Sequence, residues 1–300
     1  MKPSPRLTAI LQAIFVTFLW STSWVLIKIG LRGDLPAISF AGLRYGLAFL
    51  CLIPFVLFSP KQRAALKNLS AREWVNLSLL GVALYTVTQS LMYVSLDHLP
   101  SAMVSLVLNL TSVFIAISGV FLLKERPSSL QWIGIGVAAV GVGVYFLPIA
   151  LERAQVIGLV FAAACMAGNV VSGLFGRQVN RGQSIPPLVV TFVSMGVGAG
   201  LMLVIGGVTQ GFGHPTGTDW LIIAWLAVVN TAVTFTLWNV TLRTLTAVES
   251  SILNSLMMPQ IALLSLLFLG ETLSGKDLLG LALVFAGVII VQIRKRARVI

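Results

Sequence analysis

Charge is what this sequence has least of. Of 300 residues only 10% are Asp, Glu, Lys or Arg, nine of them acidic, with two histidines and two cysteines besides. Each shortage excludes a class of chemistry. The acids are Asp34, Glu73, Asp97, Glu125, Glu152, Asp219, Glu249, Glu271 and Asp277, and none lies in the middle of an apolar run. A proton relay or a sodium site built on a buried carboxylate is therefore not expected. Cys51 and Cys165 fall in separate apolar runs and read as small buried hydrophobes, with no disulfide or metal site. There is no Walker loop, no His-x-x-x-His pair and no Ser-His-Asp set. Gly196-Val197-Gly198 lies inside an apolar run rather than between a strand and a helix, so it carries no nucleotide signal. Neither an enzyme nor a cofactor is expected.

What is abundant is hydrocarbon. The chain is 57% hydrophobic, with a mean hydropathy of +0.98. About 20 apolar residues suffice for a helix to cross a bilayer. Ten such runs lie near 7–30, 36–58, 72–95, 99–123, 129–148, 155–177, 185–207, 218–240, 246–269 and 275–293. A closed barrel would alternate apolar and polar residues, whereas 132–146 is continuously apolar. The expected fold class is an all-α membrane protein with ten transmembrane helices. The first run follows Lys2 and Arg6, as a signal peptide would. It continues to about Ile29 with no small-x-small cleavage site, so it reads as a retained helix.

A formal net charge of +11 could suggest a nucleic-acid partner, but its placement does not. With the N-terminus inside, the inner segments hold 15 of the 20 basic residues. The outer loops hold Arg32, Arg153 and Lys276, and Lys28 and Arg44 lie within spans. This is the positive-inside pattern. It places both termini in the cytoplasm, makes anionic lipid the charged partner and leaves no role for nucleic acid.

The segment 74–147 also matches 220–293 without gaps, at a shift of 146 residues, with 19 of 74 pairs identical. The informative pairs are Trp74/Trp220, Thr88/Thr234, Ser105/Ser251, Glu125/Glu271, Ser128/Ser274, Gly134/Gly280 and Gly141/Gly287. The halves are then 1–150 and 151–300, five spans each. Five is odd, so the second half enters from the opposite face and the repeat is inverted. Two such halves surround a central site with a gate on either side, the plan of many carriers.

Glu125-Arg126-Pro127-Ser128, Gln131-Trp132-Ile133-Gly134 and Gly141-Val142 form one motif, and Glu271-Thr272-Leu273-Ser274, Gly280 and Gly287-Val288 its second copy. With the Phe18-Leu19-Trp20-Ser21-Thr22-Ser23-Trp24 opening and Arg44 eight residues after Pro36, the chain resembles the drug/metabolite transporter superfamily, EamA-type. The second half lacks the arginine. The resemblance covers essentially the whole chain and is greatest to bacterial exporters of aromatic amino acids and related metabolites. It implies a multi-pass inner-membrane protein that exports small organic solutes. The inverted halves point to alternating access and the absence of mid-span acids to a facilitator. A monomer is expected, with an oligomer left open. A proton-coupled multidrug or metabolite exporter is the alternative.

Candidate substrate contacts are polar and aromatic residues inside spans. Tyr85, Gln89 and Tyr93 recur every four residues and so share a helical face, as do Asn230, Thr234 and Trp238. Trp20 and Trp24, Asn169, Asn254 and Met258 join them. Trp74 and Trp220 read as interfacial anchors, the span glycines as sites of close packing, and Pro259 as a bend in span nine. Glu125 and Glu271 read as caps of the helices that follow them or as partners of a neighbouring base. Lys28 is expected to snorkel to the outer face. Arg44 lies eight residues into span two, roughly 12 Å deep by helical rise. It either closes a gate by bonding backbone carbonyls or attracts a substrate carboxylate.

Overall fold

Short polar pairs start the helices and apolar runs extend them. The computed structural model describes residues 5–115, 117, 128–147, 152–180, 185–241, 244–245 and 253–292. Among these, every regular element is helical: α1 (Pro5–Gly30), α2 (Ala37–Leu57), α3 (Pro60–Lys67), α4 (Ala71–Gly81), π1 (Val82–Gln89), α5 (Ser90–His98), α6 (Ser101–Asn109), α7 (Ser129–Phe146), α8 (Arg153–Asn180), α9 (Pro187–Thr209), α10 (Gly217–Ala227), π2 (Val228–Val233), α11 (Thr234–Thr241), α12 (Met257–Phe268) and α13 (Gly275–Gln292). Against ten expected crossings, six helices are long and apolar enough to cross a membrane by length and composition. They are Arg6–Gly30, Ala37–Leu57, Ala71–His98, Ser129–Phe146, Arg153–Gly173 and Pro187–Thr209. Shorter apolar helices cover Ser101–Ile115, Gly217–Val233 and Leu253–Phe268, within the expected fourth, eighth and ninth spans. The helices turn Phe55, Phe58, Val204, Val208, Leu221 and Phe268 outward. Water would penalise such a surface and lipid does not.

Four helix starts carry a capping box, a reciprocal pair of hydrogen bonds that satisfies two orphan N–H groups. Ser70 and Glu73 start α4, Thr216 and Asp219 start α10, and Ser128 and Gln131 start α7. At α13, Asp277 N donates to Ser274 Oγ at 3.2 Å and Ser274 N to Asp277 Oδ2 at 2.9 Å. These are two pairs at the 146-residue shift. Helices α4 and α10 start at equivalent residues, and so do α7 and α13 and the two π segments. Trp74 and Trp220, each four residues past a cap, are 41% and 48% exposed, as interfacial anchors require.

The described chain packs as two compact units, each drawing on both sequence halves. One contains Met1–Val25, Pro100–Arg153 and Thr234–Ile300; the other contains Leu26–Leu99 and Ala154–Val233.

In the first unit α7 packs on α13. A Cβ built on Gly134 would lie 2.8 Å from the Gly287 carbonyl oxygen, and one on Gly141 would lie 2.9 Å from that of Gly280. The contacts descend α13 as they climb α7, so the helices run antiparallel. Gly136 has open space where its side chain would be, as does Gly200 in α9. For those two glycines the expectation of close packing fails, because they face outward. The helical bonding is interrupted at Leu256, ahead of Pro259, whose ring removes an N–H and crowds the preceding turn. Glu271 does not cap the helix that follows it, since Ser274 and Asp277 do that. Its carboxylate accepts from Ser101 N at 2.7 Å and Ala102 N at 3.3 Å, and so caps α6. Glu125 lies outside the described residues.

In the second unit α2 and α9 pack antiparallel, with Gly42 against Leu203, Gly196 against Phe49 and Gly206 against Ser39. Each opens on an N-cap proline, Pro36 and Pro186. Gly81 and Gly198 let α4, π1 and α9 approach backbone to backbone. Cys165 is buried and donates to the Thr88 carbonyl at 3.2 Å, and Cys51 is half-buried; both are free thiols. Lys28 does not simply reach for water. Its ammonium donates to the carbonyls of Leu96 and Leu99, the latter at 2.8 Å, where the C-terminus of α5 presents unsatisfied oxygens.

Candidate functional site

The two π segments decide which side chains meet. A π turn bonds residue i to i+5, so it carries an additional residue and turns later side chains off the α register. The hydroxyls follow this spacing: Thr88 Oγ1 donates to the Ala83 carbonyl at 2.7 Å and Thr231 Oγ1 to that of Leu226 at 2.8 Å.

In the second unit the polar groups gather on Arg44, which is 4% exposed. Its Nε donates to Thr231 Oγ1 at 3.3 Å and its Nη1 to Tyr93 Oη at 3.2 Å. The guanidinium carbon stands 5.1 Å from the centre of the Tyr45 ring. Among the described residues no carboxylate touches Arg44 and no backbone carbonyl receives its protons. Side-chain oxygens, those of Thr231 and Tyr93, accept from it instead. Hydroxyls and ring faces are dipoles, so a full positive charge stays uncompensated away from water. A carboxylate 4 Å away would gain on the order of 4 kcal/mol at an effective dielectric constant of 20.

Tyr45, the next residue, organises the rest. Its hydroxyl donates to Gln89 Oε1 at 2.8 Å, and its ring lies 5.4 Å from that of Tyr85. Tyr93 stands edge-on to Phe40 with ring centres 5.3 Å apart. Tyr85, Gln89 and Tyr93 thus do share a face, and it meets the Arg44–Tyr45 pair. Asn169 is half-buried on α8, with its amide 3.8 Å from the sulfur of Cys165 one turn earlier. Asn230 is fully buried in π2.

The first unit holds a second gathering. Trp20 Nε1 donates to Thr234 Oγ1 at 2.9 Å, and the Trp20 and Trp238 rings are 5.3 Å apart. Ser21 donates to Gln260 Oε1 at 3.0 Å. Trp24 and Met258 are buried, while Asn254 is exposed. Thr234 and Trp238 both meet Trp20.

Tyr45, Thr231 and Gln260 are the residues that sequence reasoning passed over. Tyr45 could have been noticed as a phenol beside an arginine deep within a span. Thr231 aligns with Tyr85 across the repeat, which marks the position but not the contact.

Helices sheathed in outward apolar side chains define a multi-pass membrane protein. The chain belongs to the EamA-like transporter family, whose model matches residues 7–147 and again residues 156–293. The two matches restate the internal repeat, and they make the chain a transporter rather than an enzyme. It is 27% identical to a probable amino-acid metabolite efflux pump of Salmonella typhimurium, over 96% of this chain and 97% of that one. It is 26% identical to a probable amino-acid metabolite efflux pump of Escherichia coli, over 93% and 92%. A solved crystal structure superposes with a TM-score of 0.68 at 21% identity, covering 95% of this chain and 97% of its own. At that identity the likeness carries the fold alone.

Proposed function

We propose that this chain exports amino acids and related metabolites across the inner membrane of a bacterium, favouring those with aromatic or apolar side chains. The observation that carries this reading is Arg44: buried, bonded only to hydroxyls and a ring face, and without a carboxylate among the described residues. A free amino acid supplies that carboxylate. Tyr45, Tyr85 and Tyr93 supply aromatic surface beside it, which suits a zwitterion with a large apolar side chain. The names of the relatives from Salmonella typhimurium and Escherichia coli support the same class of solute and the same direction of transport.

The mechanism is alternating access by ten crossings in two inverted halves, 1–150 and 151–300, with both termini in the cytoplasm. The antiparallel course of α7 and α13 supports the inversion, because these helices are equivalent in the two halves. Basic residues concentrated on one side support the orientation. The solute moves down its own gradient, since no acid lies at mid-span to couple protons. The transporter acts as a monomer, with lipid around it and no cofactor.

Counterflow in liposomes, with a panel of amino acids, tests the proposal. Preloaded Phe, Trp or Tyr should accelerate uptake of the labelled amino acid, and Lys or Glu should not. Equal indifference to all five would end it.

A further inference from the structure

Gln89 is half-buried in π1, and its amide has two ends of opposite character. The carbonyl end is taken, because Tyr45 Oη donates to Oε1 at 2.8 Å. The Nε2 end keeps two N–H donors, for which the described residues offer no acceptor. One residue before Tyr45, the Arg44 guanidinium has two of its five N–H donors engaged, by Thr231 and Tyr93. Donors from both side chains therefore remain unmatched around Tyr45, while Tyr93 Oη and Thr231 Oγ1 each accept from Arg44 and Tyr45 Oη gives its proton to Gln89. Such a site has donors in excess and carries a positive charge. Its complement is an anion with two lone-pair oxygens, and the guanidinium repels a second cation there.

Resting on the assignment of Arg44 to the solute carboxylate, we propose that Gln89 is the second carboxylate donor and that Tyr45 is a positioning residue. The Tyr45 hydroxyl holds the amide with its N–H groups toward the anion. Without it the amide can turn over and present its oxygen to the carboxylate instead. The site therefore selects solutes with a free carboxylate and rejects their esters, amides and decarboxylated amines. Tyr45 determines this selectivity without itself touching the carboxylate.

The test is equilibrium binding to the purified full chain in detergent, with labelled L-phenylalanine and L-phenylalanine methyl ester as probes. The variants are Tyr45→Phe, Gln89→Leu and the double substitution. Tyr45→Phe keeps the ring beside Arg44 and Tyr85, and thermal unfolding verifies the fold of each variant. The wild type should bind the acid at least tenfold more tightly than the ester. Gln89→Leu should weaken acid binding by about tenfold, the loss of one hydrogen bond to a charged group. Tyr45→Phe should weaken it several-fold and leave the ester unchanged. The double variant should match Gln89→Leu, because Tyr45 acts only through that amide. Additive losses, equal losses for acid and ester, unchanged acid binding in Tyr45→Phe, or no acid preference in the wild type would each overturn the inference. Arg44→Lys separates the two ideas. If it weakens acid binding while the Tyr45 and Gln89 variants do not, only the roles of Tyr45 and Gln89 fall. If it changes nothing, the assignment of Arg44 falls as well.

Discussion

Gly134 and Gly287 meet backbone to backbone: a Cβ on either would come within 2.8 Å of the other's carbonyl oxygen. The same contact recurs between Gly141 and Gly280, their equivalents at the repeat shift with partners exchanged. This is the reciprocal pattern of a two-fold interface, written within one chain. Small residues allow such an approach between membrane helices, where dispersion and weak hydrogen bonds replace the hydrophobic effect.

Valine at Gly134 or Gly287 should therefore force α7 from α13 and lower stability by about 1–3 kcal/mol, the usual range for overpacking. Gly136→Ala, two residues from Gly134 but facing open space, should be neutral or slightly stabilising through helix propensity. Thermal unfolding in detergent checks both. Equal shifts for Gly134→Val and Gly136→Ala would refute the packing account.

Arg44→Gln should abolish counterflow yet leave the protein folded, because Tyr93 and Thr231 are neutral and lose only a hydrogen bond. Arg44→Lys keeps the charge without the planar fork and should retain a small fraction of the activity. Initial rates at saturating amino acid, with a melting curve beside each, make the comparison. Full activity in Arg44→Gln would remove the guanidinium from the mechanism.

Glu271→Gln should lower stability by about 1 kcal/mol, as the N-terminus of α6 loses a negative charge and one of two acceptors but keeps an amide oxygen for Ser101 N. Glu271→Ala removes the cap as well and should cost about 1–2 kcal/mol. An Ala variant no less stable than the Gln variant would show that the charge alone matters.

Ser70→Ala and Thr216→Ala each remove a hydroxyl that accepts from the backbone N–H three residues on and donates to that residue's carboxylate, at equivalent helix starts, α4 and α10. Each should cost about 1 kcal/mol, and the pair should add, as independent sites do. Chemical denaturation of the two single variants and the double variant would reveal any coupling.

An imposed proton gradient should not drive uptake against a solute gradient in proteoliposomes, since the chain has no mid-span acid. Accumulation beyond equilibrium would contradict the facilitator mechanism.

Much of this architecture was legible in the sequence. Apolar runs located the helices, and the repeat anticipated that α7 and α13 would be alike. The capping boxes were legible in principle: Ser128 with Gln131 and Ser274 with Asp277 show a cap residue followed three places later by a side chain able to return the bond. Contacts between distant residues were not. Glu271 sits beside a helix of its own, and nothing local announces that it serves α6. The π segments were hidden too, because 82–89 reads as an ordinary apolar stretch. Nor did anything local place Thr231 beside Arg44.

Those π segments bear on ancestry. Val82 and Val228 open them at equivalent places, and a π turn contains one residue more than the α turn it displaces. Two separate insertions at one site in two copies would be a coincidence. A single insertion in a half-length ancestor, followed by gene duplication and fusion, gives both at once. The irregularity is then older than the two-half protein, and a living half-length relative should carry it as well.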